Sequence, residues 1–125
     1  MKSILINSQT REVKEVTLAN VLQDSYDLIG NGCSMVETGE YINQTDALII
    51  DEEGYFKSGL CGFFYNEHFY YGNAVVWGMN PDDGDNADCN VTAEDVLSKI
   101  QWVDAIVASK VRERVLNRPY TFTSY

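Results

Sequence analysis

His68 is the only histidine in this 125-residue chain. Sites that need two imidazoles from one chain, such as His-rich zinc centres and HExxH metalloproteases, are therefore excluded. Cationic side chains are also scarce: 9 Lys+Arg stand against 19 Asp+Glu, a formal net charge of −10. Attraction to DNA, RNA or an anionic membrane rests on pairing phosphates with Lys and Arg, so this balance disfavours all three. The 3 cysteines, Cys33, Cys61 and Cys89, are an odd set without a CxxC pair, which suits a reducing compartment. No stretch approaches the roughly 18 apolar residues of a membrane helix. The run Ile4-Leu5-Ile6 is far short of a signal-peptide core. A cytosolic protein with no membrane partner is expected.

The remaining composition is ordinary for a globular protein, with 45% hydrophobic and 22% charged residues. The length suits a single domain over 1–125. Residues 2–7 and 12–18 read as strands around Ser8-Gln9-Thr10. Leu18, Val21, Leu22, Ser25 and Ile29 fall at helical spacing, predicting an amphipathic helix near 19–29 that stops at Gly30-Asn31-Gly32. Strands are predicted at 33–37, at the apolar run Ala47-Leu48-Ile49-Ile50, and at Ala74-Val75-Val76-Trp77. Residues 79–91 read as a long loop. Thr92 is a good N-cap for a helix near 93–100, and a second helix near 104–117 ends before Pro119. The expected fold is α+β, a mainly antiparallel sheet covered by these helices.

Constellations that carry chemistry are thin. The loop Asp82-Asp83-Gly84-Asp85-Asn86-Ala87-Asp88 departs from an EF-hand twice: Ala87 stands at the fifth ligand position and Asp88 at the turn glycine. Asp51-Glu52-Glu53 lies on a turn, where adjacent carboxylates point apart, and no lysine partner is apparent. His68 falls in a hairpin turn, and nothing resembles a GxSxG elbow or a cysteine-protease signature. No enzyme, metal or cofactor is expected.

Aromatic residues are concentrated. Of 15 in the chain, nine (Tyr55, Phe56, Phe63, Phe64, Tyr65, Phe69, Tyr70, Tyr71, Trp77) lie within 55–77. Alternation along a strand puts Phe69 and Tyr71 on one side and Tyr70 on the other. One face then fills the core, and the other either packs too or offers a stacking platform.

In the last helix Val103, Val107 and Val111 follow i+4 spacing, and so do Lys110, Arg114 and Arg118. The apolar and basic stripes lie side by side, and long cationic side chains can rest their stems on apolar surface. Such a helix packs only partly on its own domain and can help form a homodimer. Charge is segregated in the same way. Residues 15–98 hold 16 acids and one base (net −15), 1–14 carry +2, and 99–125 carry +3. An acidic body with a basic end favours self-association or a basic partner groove.

Several short motifs share the order of one family. They are Lys2-x-Ile4-x-Ile6, Tyr26-x-Leu28-Ile29-Gly30, Leu48-Ile49-Ile50-Asp51-Glu52-Glu53-Gly54, Gly72-Asn73-Ala74-Val75-Val76-Trp77-Gly78, and Thr92-Ala93-Glu94-Asp95-Val96. Over residues 1–100 the chain resembles the family called domain of unknown function three-eight-four-six, carried by phages, plasmids and other bacterial mobile elements. Residues 101–125 lie beyond the likeness. The resemblance implies a small accessory protein in the bacterial cytoplasm and supplies no catalytic residues.

Three functional expectations follow. The first is a non-enzymatic protein-interaction module, with itself or another protein as partner. The second is an acidic DNA mimic or host-defence antagonist. The third is a nucleotide binder using the aromatic segment 63–71 and the C-terminal arginines. The candidate binding residues are Tyr65, His68, Tyr70, Lys110, Arg112, Arg114 and Arg118.

Overall fold

The computed structural model describes residues 1–117. The chain opens with a hairpin of β1 (Lys2–Asn7) and β2 (Glu12–Thr17), paired from Lys2↔Thr17 to Asn7↔Glu12. The Asn7 carboxamide shapes its turn by accepting from the amides of Gln9 and Thr10. Helix α1 (Val21–Ile29) starts where Asn20 accepts from the Gln23 amide at 3.1 Å, satisfying one of the free N–H groups of the first turn. Then come β3 (Val36–Tyr41), β4 (Asp46–Asp51), a 3-10 turn over Gly54–Phe56, β5 (Gly62–Tyr65), β6 (His68–Tyr71), β7 (Ala74–Met79), β8 (Asn86–Ala87), α2 (Ala93–Leu97), β9 (Ile100–Val103) and α3 (Ala105–Leu116).

These strands form two sheets rather than one, and every pairing is antiparallel. The larger has the order β2-β1-β7-β4-β3 with β8 added beside β7, and the smaller has β6-β5-β9. Side-chain alternation on the central strand β7 stacks them. Val75 turns to one side, where Leu5, Ile29, Ala47 and Ile49 close a core beneath α1. Ala74 and Val76 turn to the other, meeting Ile4, Ile6 and Leu48 from the same sheet and Phe63, Tyr65 and Tyr70 from the small sheet. Behind the small sheet, Tyr71 and Val103 pack on Ala108 of α3. The layers run α1, large sheet, small sheet, α3.

The α+β class is as read from the sequence, with local corrections. The helix expected near 93–100 ends at Leu97, and the next residues form β9. Alternation explains why: Ile100 and Trp102 face the central core while Val103 faces α3, a period of two that a helix cannot supply. The strand expected at 33–37 runs over Val36–Tyr41, and the loop expected at 79–91 contains the short β8. The helix expected near 19–29 begins at Val21, and the one near 104–117 spans Ala105–Leu116 with Asp104 as its N-cap. No helix among the described residues is long and apolar enough to cross a membrane.

A buried carboxylate fastens the loop before α2. Asp46 is 0% exposed and accepts from the amides of Asn90 (3.0 and 3.1 Å) and Val91 (3.0 Å) and from the Asn43 carboxamide (3.0 Å). Removing it strands these buried donors, so Asp46→Ala is expected to cost about 3 kcal/mol. Asp46→Asn, which keeps one acceptor oxygen, should cost less. Urea denaturation of the two variants beside the parent chain checks both the loss and its order.

Candidate interaction surface

Helix α3 begins where the Asp104 carboxylate accepts from the Val107 amide at 2.9 Å. Its inward face is narrow: only Ala108 is fully buried, with Val111, Arg112 and Val115 half-buried around it. The small methyl of Ala108 lets the helix lie close on the small sheet. Arg112 adds the polar fastening, its Nε donating to the Tyr55 carbonyl at 2.6 Å while the guanidinium sits 5.8 Å from the Tyr71 ring centroid.

The outward face is left uncovered. Ile106 is 72% and Val107 48% exposed, and Lys110, Glu113 and Arg114 face solvent beside them. Neither Lys110 nor Arg114 has an ion-pair partner among the described residues. Of the apolar stripe read from the spacing, only Val107 lies on this surface, because Val103 is buried in β9 and Val111 is half-buried; of the basic stripe, Lys110 and Arg114 do.

The other candidate residues are placed differently. Arg118 lies outside the described residues. Tyr65 (1% exposed) and Tyr70 (7%) point into the core between the sheets and offer no ring face for a base to stack on. The opposite face of the hairpin, Phe64, Phe69 and Tyr71, is not an open platform either, because it packs with Tyr55, Leu60 and α3. Arg112 does reach this aromatic sheet, at Tyr71, but as the attachment of its own helix. The proposed stacking of a nucleotide between these groups thus loses its rings and one of its arginines.

His68 is the first residue of β6 rather than part of the turn, which consists of Asn66 and Glu67. Its Nδ1 lies 3.1 Å from Glu40 Oε1, and the same oxygen accepts from the Tyr70 hydroxyl at 2.6 Å. Glu40 thereby ties the two sheets together. Sequence reasoning missed it, since 28 and 30 residues separate it from its partners. The neighbouring Gly39 makes room, because a Cβ there would lie 2.8 Å from the Tyr70 ring.

Other acidic groups also settle into structural roles. Asp51 has the lysine partner that the sequence did not reveal: Lys57 Nζ bonds its Oδ2, and the Glu53 amide donates to its Oδ1 at 2.9 Å. In the 82–88 loop, Asp83 accepts from the Asp85 amide and Asp88 from the Lys2 amide. No group of three His, Cys, Asp or Glu among the described residues is placed to hold a metal ion. Burial raises the pKa of the Cys33 and Cys89 thiols, with Asp51 and Asp46 respectively adding to it, so both favour the unreactive protonated form.

A second surface lies on the opposite outer layer. Between β2 and α1 an open groove of ≈ 390 Å³ is lined by Val16, Thr17, Asp24, Asp27 and Leu28. Its lining combines the apolar Val16 and Leu28 with the acidic Asp24 and Asp27. No protein-family model matches the chain, and no curated protein or solved structure matches it.

Burial, reinforced by the hydrogen bond to Glu40, raises the Tyr70 pKa well above the usual tyrosine value. A phenol whose folded-state pKa is raised contributes stability that is fully present below the unfolded value of about 10. That contribution is lost as pH climbs through the raised folded value. Tyr70→Phe should therefore cost about 1 kcal/mol at neutral pH through the lost hydrogen bond. It should also make stability fall less steeply above about pH 10, as read from urea midpoints across an alkaline series.

Proposed function

We propose that the chain is a non-enzymatic protein-interaction module. The observation that carries this reading is the outward face of α3, where Ile106 and Val107 stand exposed beside Lys110 and Arg114, cations with no ion-pair partner among the described residues. Apolar side chains bordered by charge are the usual composition of a contact surface, with the apolar part supplying affinity and the charges orientation. The commitment of the single imidazole to Glu40, and the protonated state favoured at Cys33 and Cys89, support a non-catalytic role. The likeness of residues 1–100 to the family of domain of unknown function three-eight-four-six supports a setting: an accessory protein of a bacterial mobile element, at work in the cytoplasm.

A second reading draws on the acids. Glu52, Glu53, Glu67, Asp82, Asp83, Asp85, Glu94 and Asp95 are all exposed, a surface suited to a basic groove such as one built for DNA. Under this reading the pure protein relieves restriction or displaces DNA from a defence enzyme at low salt. No displacement at any ratio would remove it.

The interaction reading is checked by replacing the contact face without disturbing the core. Immobilised parent chain and a Val107→Glu/Arg114→Glu variant, both sites being exposed, are exposed to bacterial lysate. The expected outcome is at least one species held by the parent at low salt and lost tenfold or more by the variant, about 1.4 kcal/mol. Identical retention profiles, with the parent chain itself monomeric at low salt, would overturn the reading.

A further inference from the structure

We propose that the occupant of the groove between β2 and α1 is helix α3 of a second copy of this chain. The proposal rests on the interaction reading above and names its partner. Along α3, the exposed Val107, Lys110 and Arg114 follow i, i+3, i+7 spacing and so form one stripe, apolar and cationic by turns. Along α1, Asp24, Asp27 and Leu28 follow i, i+3, i+4 spacing, and they line the groove with Val16 and Thr17 of β2. Each surface thus carries two charges and an apolar strip, with opposite signs.

None of these four charges has an ion-pair partner among the described residues. Asp24 accepts from the amides of Ala19 and Asn20, and Asp27 from the Gln23 carboxamide, but neither meets a cation among the described residues. Lys110 and Arg114 meet no acid there. Self-satisfaction is also ruled out by the layer order. Helix α1 caps the large sheet and α3 caps the small one, so groove and stripe occupy opposite outer faces of the molecule.

That arrangement fixes the kind of assembly. The surfaces in contact differ, so the interface is head-to-tail, and a second copy leaves one groove and one stripe unfilled. The contact therefore extends into a ring or an open chain instead of ending at two copies. With exposed ion pairs at its rim, it strengthens as ionic strength falls. Because α3 stays fastened to its own domain through Ala108 and Arg112, docking needs no unfolding of the helix.

The test is sedimentation velocity of the full chain over a hundredfold concentration range at low and high salt, with two charge-reversed variants. Lys110→Glu/Arg114→Glu reverses the stripe. Asp27→Lys reverses one of the two groove charges and so cancels the groove's net negative charge, and it spares Asp24, which shapes the start of α1. The parent chain is expected to form assemblies that grow with concentration at low salt and dissolve at high salt. Each variant alone is expected to stay monomeric, and an equimolar mixture to associate again, because the unaltered groove of the first variant meets the unaltered stripe of the second. Association that survives either variant, or variants that fail to rescue each other, would overturn the proposal. A monomeric parent that still retains an α3-dependent species from lysate would overturn self-docking alone. A monomeric parent with no such species would overturn the interaction reading as well.

Discussion

Everything in the layer order depends on a sheet that must be covered on both faces. The β5–β6 hairpin sends Phe63, Tyr65 and Tyr70 to one side and Phe64, Phe69 and Tyr71 to the other. Aromatic side chains bury large areas, so neither side can be left to water. The large sheet covers one set, with Phe63 and Tyr70 ring centroids 5.5 Å apart in the resulting core. The other set draws in Tyr55, β9 and α3, with Tyr55 and Tyr71 stacked at 6.4 Å. Helix α3 is held because the rings need a lid. That duty occupies only its Ala108 side, which leaves Ile106 and Val107 in solvent.

Electrostatics follows the same division between interior and surface. The carboxylates drawn inward each acquire donors: Asp46 from backbone amides, Asp51 from Lys57, Glu40 from the Tyr70 hydroxyl. Burial without such partners would cost far more than a hydrogen bond returns. These inward carboxylates pin the 42–46 turn to the 88–91 loop and one sheet to the other. The remaining acids lie outside and give the body its negative surface. Of the basic residues, Lys57 and Arg112 are consumed in structural contacts, while Lys110 and Arg114 have no ion-pair partner among the described residues. The acidic groove and the basic residues of α3 lie on opposite outer layers.

Much of the fold was legible because it is written in local patterns. The uninterrupted apolar runs at 47–50 and 74–77 mark the two strands that carry the large sheet, and Thr92 caps the helix it precedes. Strand β9 was not legible: a run of four residues after a helix can be absorbed into either period, and only its register with β5, Gly62↔Val103 to Tyr65↔Ile100, makes it a strand. The Glu40 contact to Tyr70 was equally hidden, since no spacing rule reaches across 30 residues. The site was half legible. Adjacent apolar and basic stripes on the last helix were visible, whereas the burial of Tyr65 and Tyr70 was not.

By itself, the sequence determined what composition and short-range periodicity control: an α+β chain, the segregation of acidic and basic residues, the two faces of the aromatic hairpin, and the exclusion of two-histidine chemistry. Tertiary structure alone decided that both aromatic faces are covered, and by what. It also decided which arginine was spent on Tyr55 and Tyr71, and that the acidic groove and the basic stripe lie on opposite sides. The physical reason is range. Propensity, capping and amphipathicity act within a few residues. Burial and charge pairing depend on which distant segments the layers bring together.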